Sequence, residues 1–153
     1  MEMPVFTIRG KNHRERGVDY GVQCKELIQG VLERYIRFFN GGHTAVSWDE
    51  AKVISKEFLP FIHSYSPELL DELEGIAQGA DVEFDDLLTL NSRSEAMTLV
   101  RRPPSDKEEL DGCSSVAVLP DASANGHTIL AQNWDTYTWQ EYGTVILQIL
   151  RDD

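Results

Sequence analysis

The sequence predicts an α+β fold, in which a mostly helical segment is followed by a shorter segment of strands. Apolar residues recur at helical spacing through most of the first two thirds of the chain. RRPPSDKEELDG (residues 101–112) then interrupts this pattern with two prolines and a run of charged residues, which favours an exposed segment. After it, three short apolar runs alternate with turn residues, as is typical of strands.

The first elements are a strand and a long helix. PVFTIRG (residues 4–10) alternates apolar and polar residues, which indicates an extended strand. Residues 14–39 predict one helix, because apolar side chains return every three or four positions. Cys24 lies inside that apolar stripe and is interpreted as a core residue. NGGH (residues 40–43) then ends the helix.

The next helix has a recognisable start. Ser47 precedes Glu50 by three positions, which is the spacing of a capping box, in which each residue satisfies a backbone N–H of the other. The apolar pattern behind it predicts a helix that runs to about His63.

Two more helices complete the helical segment. Ser66 and Pro67 supply an N-cap and a first-turn proline for the first of them, which Gly79 is expected to help close. The second begins near Asp85 and stops before Pro103, because the residue before a proline disfavours helical geometry.

The strand segment predicts an antiparallel meander. CSSVAVL (residues 113–119) and HTILAQNW (residues 127–134) flank Asn125 and Gly126, which are the usual residues of a tight hairpin turn. GTVILQIL (residues 143–150) is the third strand of the meander. The chain stops three residues after this apolar run, so we expect the sequence to be part of a longer protein.

Composition excludes several classes of function. The net charge of −12 argues against binding to nucleic acid or to anionic membranes, since both need clustered lysine and arginine. The two cysteines form no CxxC pair and the histidines follow no metal-ligand spacing, so neither a zinc site nor a disulfide framework is indicated. The N-terminus lacks an apolar signal-peptide region, which makes a cytoplasmic location the expectation.

Cys113 directly follows Gly112 and allows two interpretations. In the first, Gly112 makes a turn and Cys113 is a small apolar residue that starts a buried strand. In the second, Cys113 is a nucleophile and needs a nearby base, because an ordinary cysteine thiol, with a pKa of about 8.5, is mostly protonated at neutral pH. No histidine in the sequence is paired locally with it.

A cut between Gly112 and Cys113 would supply that base. Cys113 would then carry a free α-amine, and the ordinary pKa of an α-amine, about 7.7 to 8.0, suits a general base. The preceding segment is acidic and broken by prolines, so that a cut there would leave a core intact. Glycine at the scissile position also lets the thiol approach the preceding carbonyl.

These residues resemble a known family. LDGCSSVAVLPDASANGHTILAQNWD (residues 110–135) is similar to the cleavage region of the isopenicillin N acyltransferase family, acyl-coenzyme A:6-aminopenicillanic acid acyltransferases within the N-terminal nucleophile hydrolases. ELLDELEGIAQGADVEFDDLLTLNSRSE (residues 68–95) resembles that family's helical region, with its Asn-x-Arg-x-Glu motif. The resemblance covers nearly the whole chain, and its most specific pieces are DGC (residues 111–113) and QNWD (residues 132–135).

The resemblance implies a fold and a division of the chain. Residues 1–112 would be a helical pro or α segment, and residues 113–153 would begin a β-subunit with the first strands of a truncated αββα sandwich. The rest of the protein's own C-terminal segment, including an oxyanion-hole asparagine, would follow Asp153. The family cleaves its precursor between Gly and Cys, which here are Gly112 and Cys113.

The resemblance also assigns roles to single residues. Cys113 would be the nucleophile, its freed amine the base, and Asp135 the carboxylate that orients this amine. Asn133, Arg93 and Glu95 would support processing or the site. No cofactor or metal is implied, and the substrate would be a small-molecule amide or an acyl-coenzyme A. The alternative is a non-catalytic helical binding module in which Cys113 is a structural strand residue.

Overall fold

The computed structural model describes residues 3–100 and 113–150 of the 153-residue chain. These residues divide into two compact units: one contains residues 3–100 together with 142–150, and the other contains residues 113–141. We describe each unit by itself. The sequence predicts another division, into segments 1–112 and 113–153, which is set by a cleavage point rather than by compactness. This division stays a prediction.

The first unit is mainly helical, as the sequence predicts. Its helices contain between 7 and 14 residues. None of the helices in the described ranges has the length and apolar character needed to cross a membrane. The helices are α1 (His13–Gln23), α2 (Lys25–Phe38), α3 (Trp48–Lys56), α4 (Leu59–Tyr65), α5 (Pro67–Ala80), α6 (Phe84–Asn91) and α7 (Arg93–Val100).

Three of the predicted helices are each divided in two. The backbone of Cys24 leaves helical geometry between α1 and α2, although the apolar pattern continues across it. Pro60 lies in the first turn of α4 and ends the helix predicted to reach His63, because proline has no N–H to continue the ladder of α3. Ser92 separates α6 from α7, and its buried hydroxyl contacts the Leu88 carbonyl at 2.8 Å.

Two predicted helix starts are present. Ser47 precedes α3 and forms the full capping box, in which the Glu50 carboxylate accepts the Ser47 N–H at 2.8 Å. These hydrogen bonds from Ser47 hold the pKa of Glu50 below its usual range. Ser66 and Pro67 start α5, but the Ser66 hydroxyl donates to the Glu68 carboxylate rather than capping the backbone.

Glycines set the close packing of α1 against α5. A Cβ on Gly17 would lie 2.1 Å from the carbonyl oxygen of Glu72, and one on Gly79 would lie 2.3 Å from that of Val18. Gly79 therefore permits helix contact, and the expectation that it closes α5 was wrong. The helix ends one residue later, where Asp81 adopts a left-handed conformation with φ 56°.

The core of this unit lies where α1, α2, α5 and α6 meet. It contains the buried residues Cys24, Ile28, Ala77, Ala80 and Leu87. The prediction of Cys24 as a core residue is confirmed, since its side chain is 2% exposed.

Strands from the two ends of the chain pair in the first unit. β1 (Val5–Ile8) and β4 (Ile146–Ile149) are parallel, with Val5 opposite Ile146. The prediction that residues 143–150 form the third strand of an antiparallel meander was therefore wrong. The aromatic ring of Tyr142, just before β4, lies against α2 at Gly30, with the Arg34 guanidinium 4.3 Å from its centroid.

The second unit is built on the predicted antiparallel hairpin. β2 (Ser114–Val118) pairs with β3 (Ile129–Asn133), with Ser114 opposite Asn133 and Val118 opposite Ile129. The connection is a ten-residue loop, residues 119–128, rather than a two-residue turn. Its bend includes Gly126 at φ 71°, so the residue predicted for the turn does supply the left-handed conformation.

Candidate active site

Cys113 lies at the start of β2 with an exposed side chain. Its thiol is 3.9 Å from the backbone carbonyl oxygen of Asp135, a weak contact across the open end of the hairpin. The pairing of β2 with β3 produces this proximity, because Ser114 and Asn133 are partners one residue further into the hairpin. The structure thus brings together the two residues that the sequence predicts as catalytic.

The Asp135 carboxylate has a defined direction. The side-chain amide of Asn133 donates a hydrogen bond of 2.8 Å to Asp135 Oδ1. Residues two apart in an extended chain lie on the same side, which explains how they reach each other. Asn133 thereby fixes the orientation of the exposed Asp135 carboxylate.

Trp134 lies between these two polar residues. Its side chain is 54% exposed, and most side chains of the hairpin are exposed as well. Tyr137 and Trp139 follow shortly afterwards, and their rings are stacked with centroids 5.9 Å apart. Three aromatic residues therefore lie within four positions of Asp135 in the sequence.

In the described part of the second unit, no histidine lies close enough to Cys113 to act as a base for its thiol. His127, its one histidine, lies in the loop at the opposite end of the hairpin. Among residues 3–100 and 113–150, no cluster of histidine, cysteine and carboxylate side chains could hold a metal ion. What the geometry offers is an exposed thiol near the backbone of Asp135, which suits nucleophilic chemistry if an amine supplies the base.

The second cysteine has a different environment. Cys24 is buried in the helical core, and burial raises the pKa of its thiol. A neutral, enclosed thiol is a poor nucleophile. Cys24 is therefore a core residue, whereas the thiol of Cys113 is exposed.

The remaining predicted site residues belong to the first unit or lie outside the described residues. Arg93 begins α7 in the helical unit, where its guanidinium donates to the Leu90 carbonyl at 2.6 Å and lies 4.9 Å from the centroid of the Tyr35 ring. Glu95 is exposed in the first turn of the same helix. Gly112 lies outside the described residues. The supporting roles of Arg93 and Glu95, and the cleavage at Gly112, stay predictions.

Sequence reasoning missed two features of this region. It placed Asp135 near Cys113 but did not identify the Asp135 backbone carbonyl as the atom nearest the thiol. It also passed over the Tyr137 and Trp139 stack, although TYTW (residues 136–139) shows two aromatic residues at alternate positions directly after Asp135.

Two curated proteins are similar to this chain over most of its length, whereas no protein-family model matches it. One is a beta-alanyl-dopamine/carcinine hydrolase from Drosophila melanogaster, 28% identical over 98% of this chain. The other is the 40 kDa form of acyl-coenzyme A:6-aminopenicillanic-acid-acyltransferase from Emericella nidulans, 29% identical over 86%.

The chain spans little more than a third of each relative, 38% of the hydrolase and 35% of the acyltransferase. The similarity relates the chain to enzymes of the hydrolase and acyltransferase classes. It supports the resemblance seen around Cys113 at the level of the family, without selecting a member.

Proposed function

We propose that this chain is part of a self-cleaving cysteine hydrolase or acyltransferase whose nucleophile is Cys113. The observation that carries the proposal is the exposed Cys113 thiol at the open end of the hairpin, 3.9 Å from the backbone carbonyl oxygen of Asp135. The similarity to a hydrolase and an acyltransferase across the same residues supports the same chemistry.

The first reaction is maturation. The Cys113 thiol adds to the Gly112 carbonyl carbon, and the Gly112–Cys113 peptide bond breaks as its nitrogen takes the proton. The product is a thioester between Gly112 and the Cys113 sulfur, with a free α-amine on Cys113. Water then hydrolyses the thioester, which leaves a carboxylate on Gly112 and restores the thiol.

Turnover uses the same thiol. The α-amine of Cys113 accepts the thiol proton, the sulfur attacks an amide or thioester carbonyl, and the leaving amine or thiol departs with a proton. An acyl group now occupies the sulfur. Water or an acceptor amine attacks this thioester and releases an acid or a new amide, regenerating Cys113.

Asp135 and Asn133 have supporting roles in this proposal. A carboxylate close to an ammonium favours the charged form, so Asp135 stabilises the α-amine each time it is protonated. The 2.8 Å hydrogen bond from Asn133 holds the carboxylate in one orientation. Without it, the carboxylate would rotate freely at an exposed position.

The substrate class we propose is a small-molecule amide, with acyl-coenzyme A as the alternative acyl donor. One relative is named for hydrolysis of beta-alanyl-dopamine and carcinine, and the other for acyl transfer to 6-aminopenicillanic acid. Fold and similarity do not separate the two reactions. Parallel assays with short N-acyl amides in water, and with acyl-coenzyme A plus an amine, distinguish hydrolase from transferase.

Intact mass spectrometry of the full natural protein tests the proposal. We expect fragments that end at Gly112 and begin at Cys113, held together as two chains, with the C-terminal fragment as the partner subunit. The Cys113→Ala variant should stay uncut and inactive, while Cys24→Ala should still be cut. An identical cleavage pattern in wild type and Cys113→Ala would refute the proposal.

A further inference from the structure

The parallel pair of β1 and β4 has two outer edges, one on each strand. The Ile146 N–H donates to the Pro4 carbonyl and the Leu150 N–H to the Ile8 carbonyl, both at 2.9 Å. Alternate residues of a strand direct their backbone groups to opposite sides, so the even-numbered residues of both strands face each other. The backbone groups of the odd-numbered residues therefore point to the outer edges.

The outer edge of β1 is closed by side chains of α1. The Asp19 carboxylate accepts the Arg9 N–H at 2.8 Å, and the Gln23 side-chain amide donates to the Thr7 carbonyl at 3.0 Å. Asp19 and Gln23 lie one turn apart on α1 and also bond each other at 3.0 Å. These two side chains occupy the backbone groups with which a neighbouring strand would pair.

The outer edge of β4 has no neighbouring strand among residues 3–100 and 113–150, where β1 and β4 form a sheet of two strands. Leu147 and Ile149 direct their backbone groups to this edge. Parallel sheets normally contain more strands than two, with both faces covered. The pair therefore has one edge that is closed and one at which the sheet can continue.

The composition of the two strands agrees with this difference. Edge strands of natural proteins usually carry proline or charged residues, which discourage pairing with another strand. β1 is preceded by Pro4 and followed by Arg9, whereas TVILQIL (residues 144–150) contains neither a proline nor a charge. Such a nearly continuous apolar run is typical of a strand inside a parallel sheet. The sequence of β1 thus suits an edge, and that of β4 suits an interior position.

We propose that the outer edge of β4 accepts a further β-strand from the part of the protein outside residues 1–153, while α1 keeps the outer edge of β1 closed. The two relatives have enough chain to supply such a strand, since this chain spans 38% and 35% of their lengths. The sheet grows in one direction only, and β1 is an edge strand of the whole protein. The inference does not depend on the chemistry of Cys113.

Amide hydrogen exchange of the full natural protein, resolved by residue with NMR, tests the added strand. We expect the Leu147 and Ile149 amides to exchange at least about a hundredfold more slowly than in an unfolded peptide. Exchange of both amides at the rate of an unfolded peptide would overturn the proposal. The Cys113→Ala protein should show the same protection, so that the result stands apart from the success or failure of the proposed function.

Nuclear Overhauser contacts identify the strand that supplies this protection. Neighbouring strands lie about 4.8 Å apart, which brings their backbone protons within range of this measurement. We expect contacts from the Leu147 and Ile149 amides to residues outside 1–153 of the same molecule. Contacts to β2 or β3 would overturn the proposal, as would contacts to a second copy, which a mixture of labelled and unlabelled protein reveals.

A variant of α1 tests the closed edge. Asp19→Ala removes the acceptor of the Arg9 N–H and should speed exchange of that amide at least about tenfold, as expected for loss of a hydrogen bond to a charged group. Leu147 should stay within about twofold of its rate in the wild type. Asp71→Ala removes an exposed carboxylate from α5 and is the matched control. Unchanged exchange of the Arg9 amide in Asp19→Ala would overturn the role given to α1.

Discussion

Cys113 and Cys24 carry the same side chain in opposite environments. The Cys113 thiol is exposed at the end of a hairpin, whereas Cys24 is 2% exposed between helices. Burial raises the pKa of Cys24 and is also the main cause of the raised pKa of nearby Tyr20. Cys24 therefore stays neutral and contributes packing, and Cys113 is the cysteine to which the proposed function assigns the chemistry.

Replacing each cysteine by alanine should separate these roles. We expect Cys24→Ala to lower the free energy of unfolding by about 1 to 2 kcal/mol, because it leaves a small void in the core. Cys113→Ala should change it by less than about 0.5 kcal/mol, as is usual at exposed positions. Urea denaturation of the full protein measures both. If Cys113→Ala were the more destabilising change, Cys113 would be a structural residue.

At the level of elements, local signals in the sequence predicted most of what the structure contains. The capping box at Ser47, the first-turn Pro67 and the β2–β3 pairing all depend on residues close together in sequence, and all are present. The break at Cys24 was missed because the apolar period continues through it. The β1–β4 pairing was missed because nothing local specifies a partner strand so far away in the chain.

In the site, too, local features could be predicted from the sequence and others could not. The neighbourhood of Cys113 and Asp135 could be predicted, since both lie at the ends of one hairpin. The side of the sheet that each side chain occupies depends on the register, and the ten-residue loop does not reveal that register in the sequence.

The capping box of α3 should make stability depend on pH. Because hydrogen bonds lower the folded-state pKa of Glu50, its contribution is present above the ordinary glutamate pKa of about 4.3 and is lost as pH falls through the folded value. Glu50→Gln should thus be less stable than wild type at pH 7, with a difference that shrinks below pH 4.3. Urea midpoints from pH 7 to pH 3 test this, and a constant difference would contradict it.

At the scale of the whole molecule, one compact unit contains chain from both sides of the proposed cut. β1 precedes Gly112 and β4 follows it, and the Ile146 N–H donates to the Pro4 carbonyl at 2.9 Å. Tyr142 adds a second connection through its contact with α2. Cleavage would therefore divide the chain without dividing this unit.

We expect the two cleavage products to elute together in gel filtration and to separate in guanidinium chloride. Ile146→Pro removes the N–H bonded to Pro4 and should weaken the association at least about fivefold, since such a bond contributes about 1 kcal/mol. Ile146→Val keeps the N–H and serves as the matched control. Fragments that part during gel filtration without denaturant would contradict the role given to β1 and β4.

The parallel pairing of β1 with β4 also bears on when the chain could be cut. Thr7 and Gln148 meet although they are 141 positions apart, so the pairing must close a very long loop. In an uncut chain the strands meet at a high effective concentration, which does not change on dilution. Two separate fragments would meet only at their actual concentration in solution. Under the proposed function, β1 and β4 would therefore pair most readily before cleavage at Gly112, while both strands still belong to one chain.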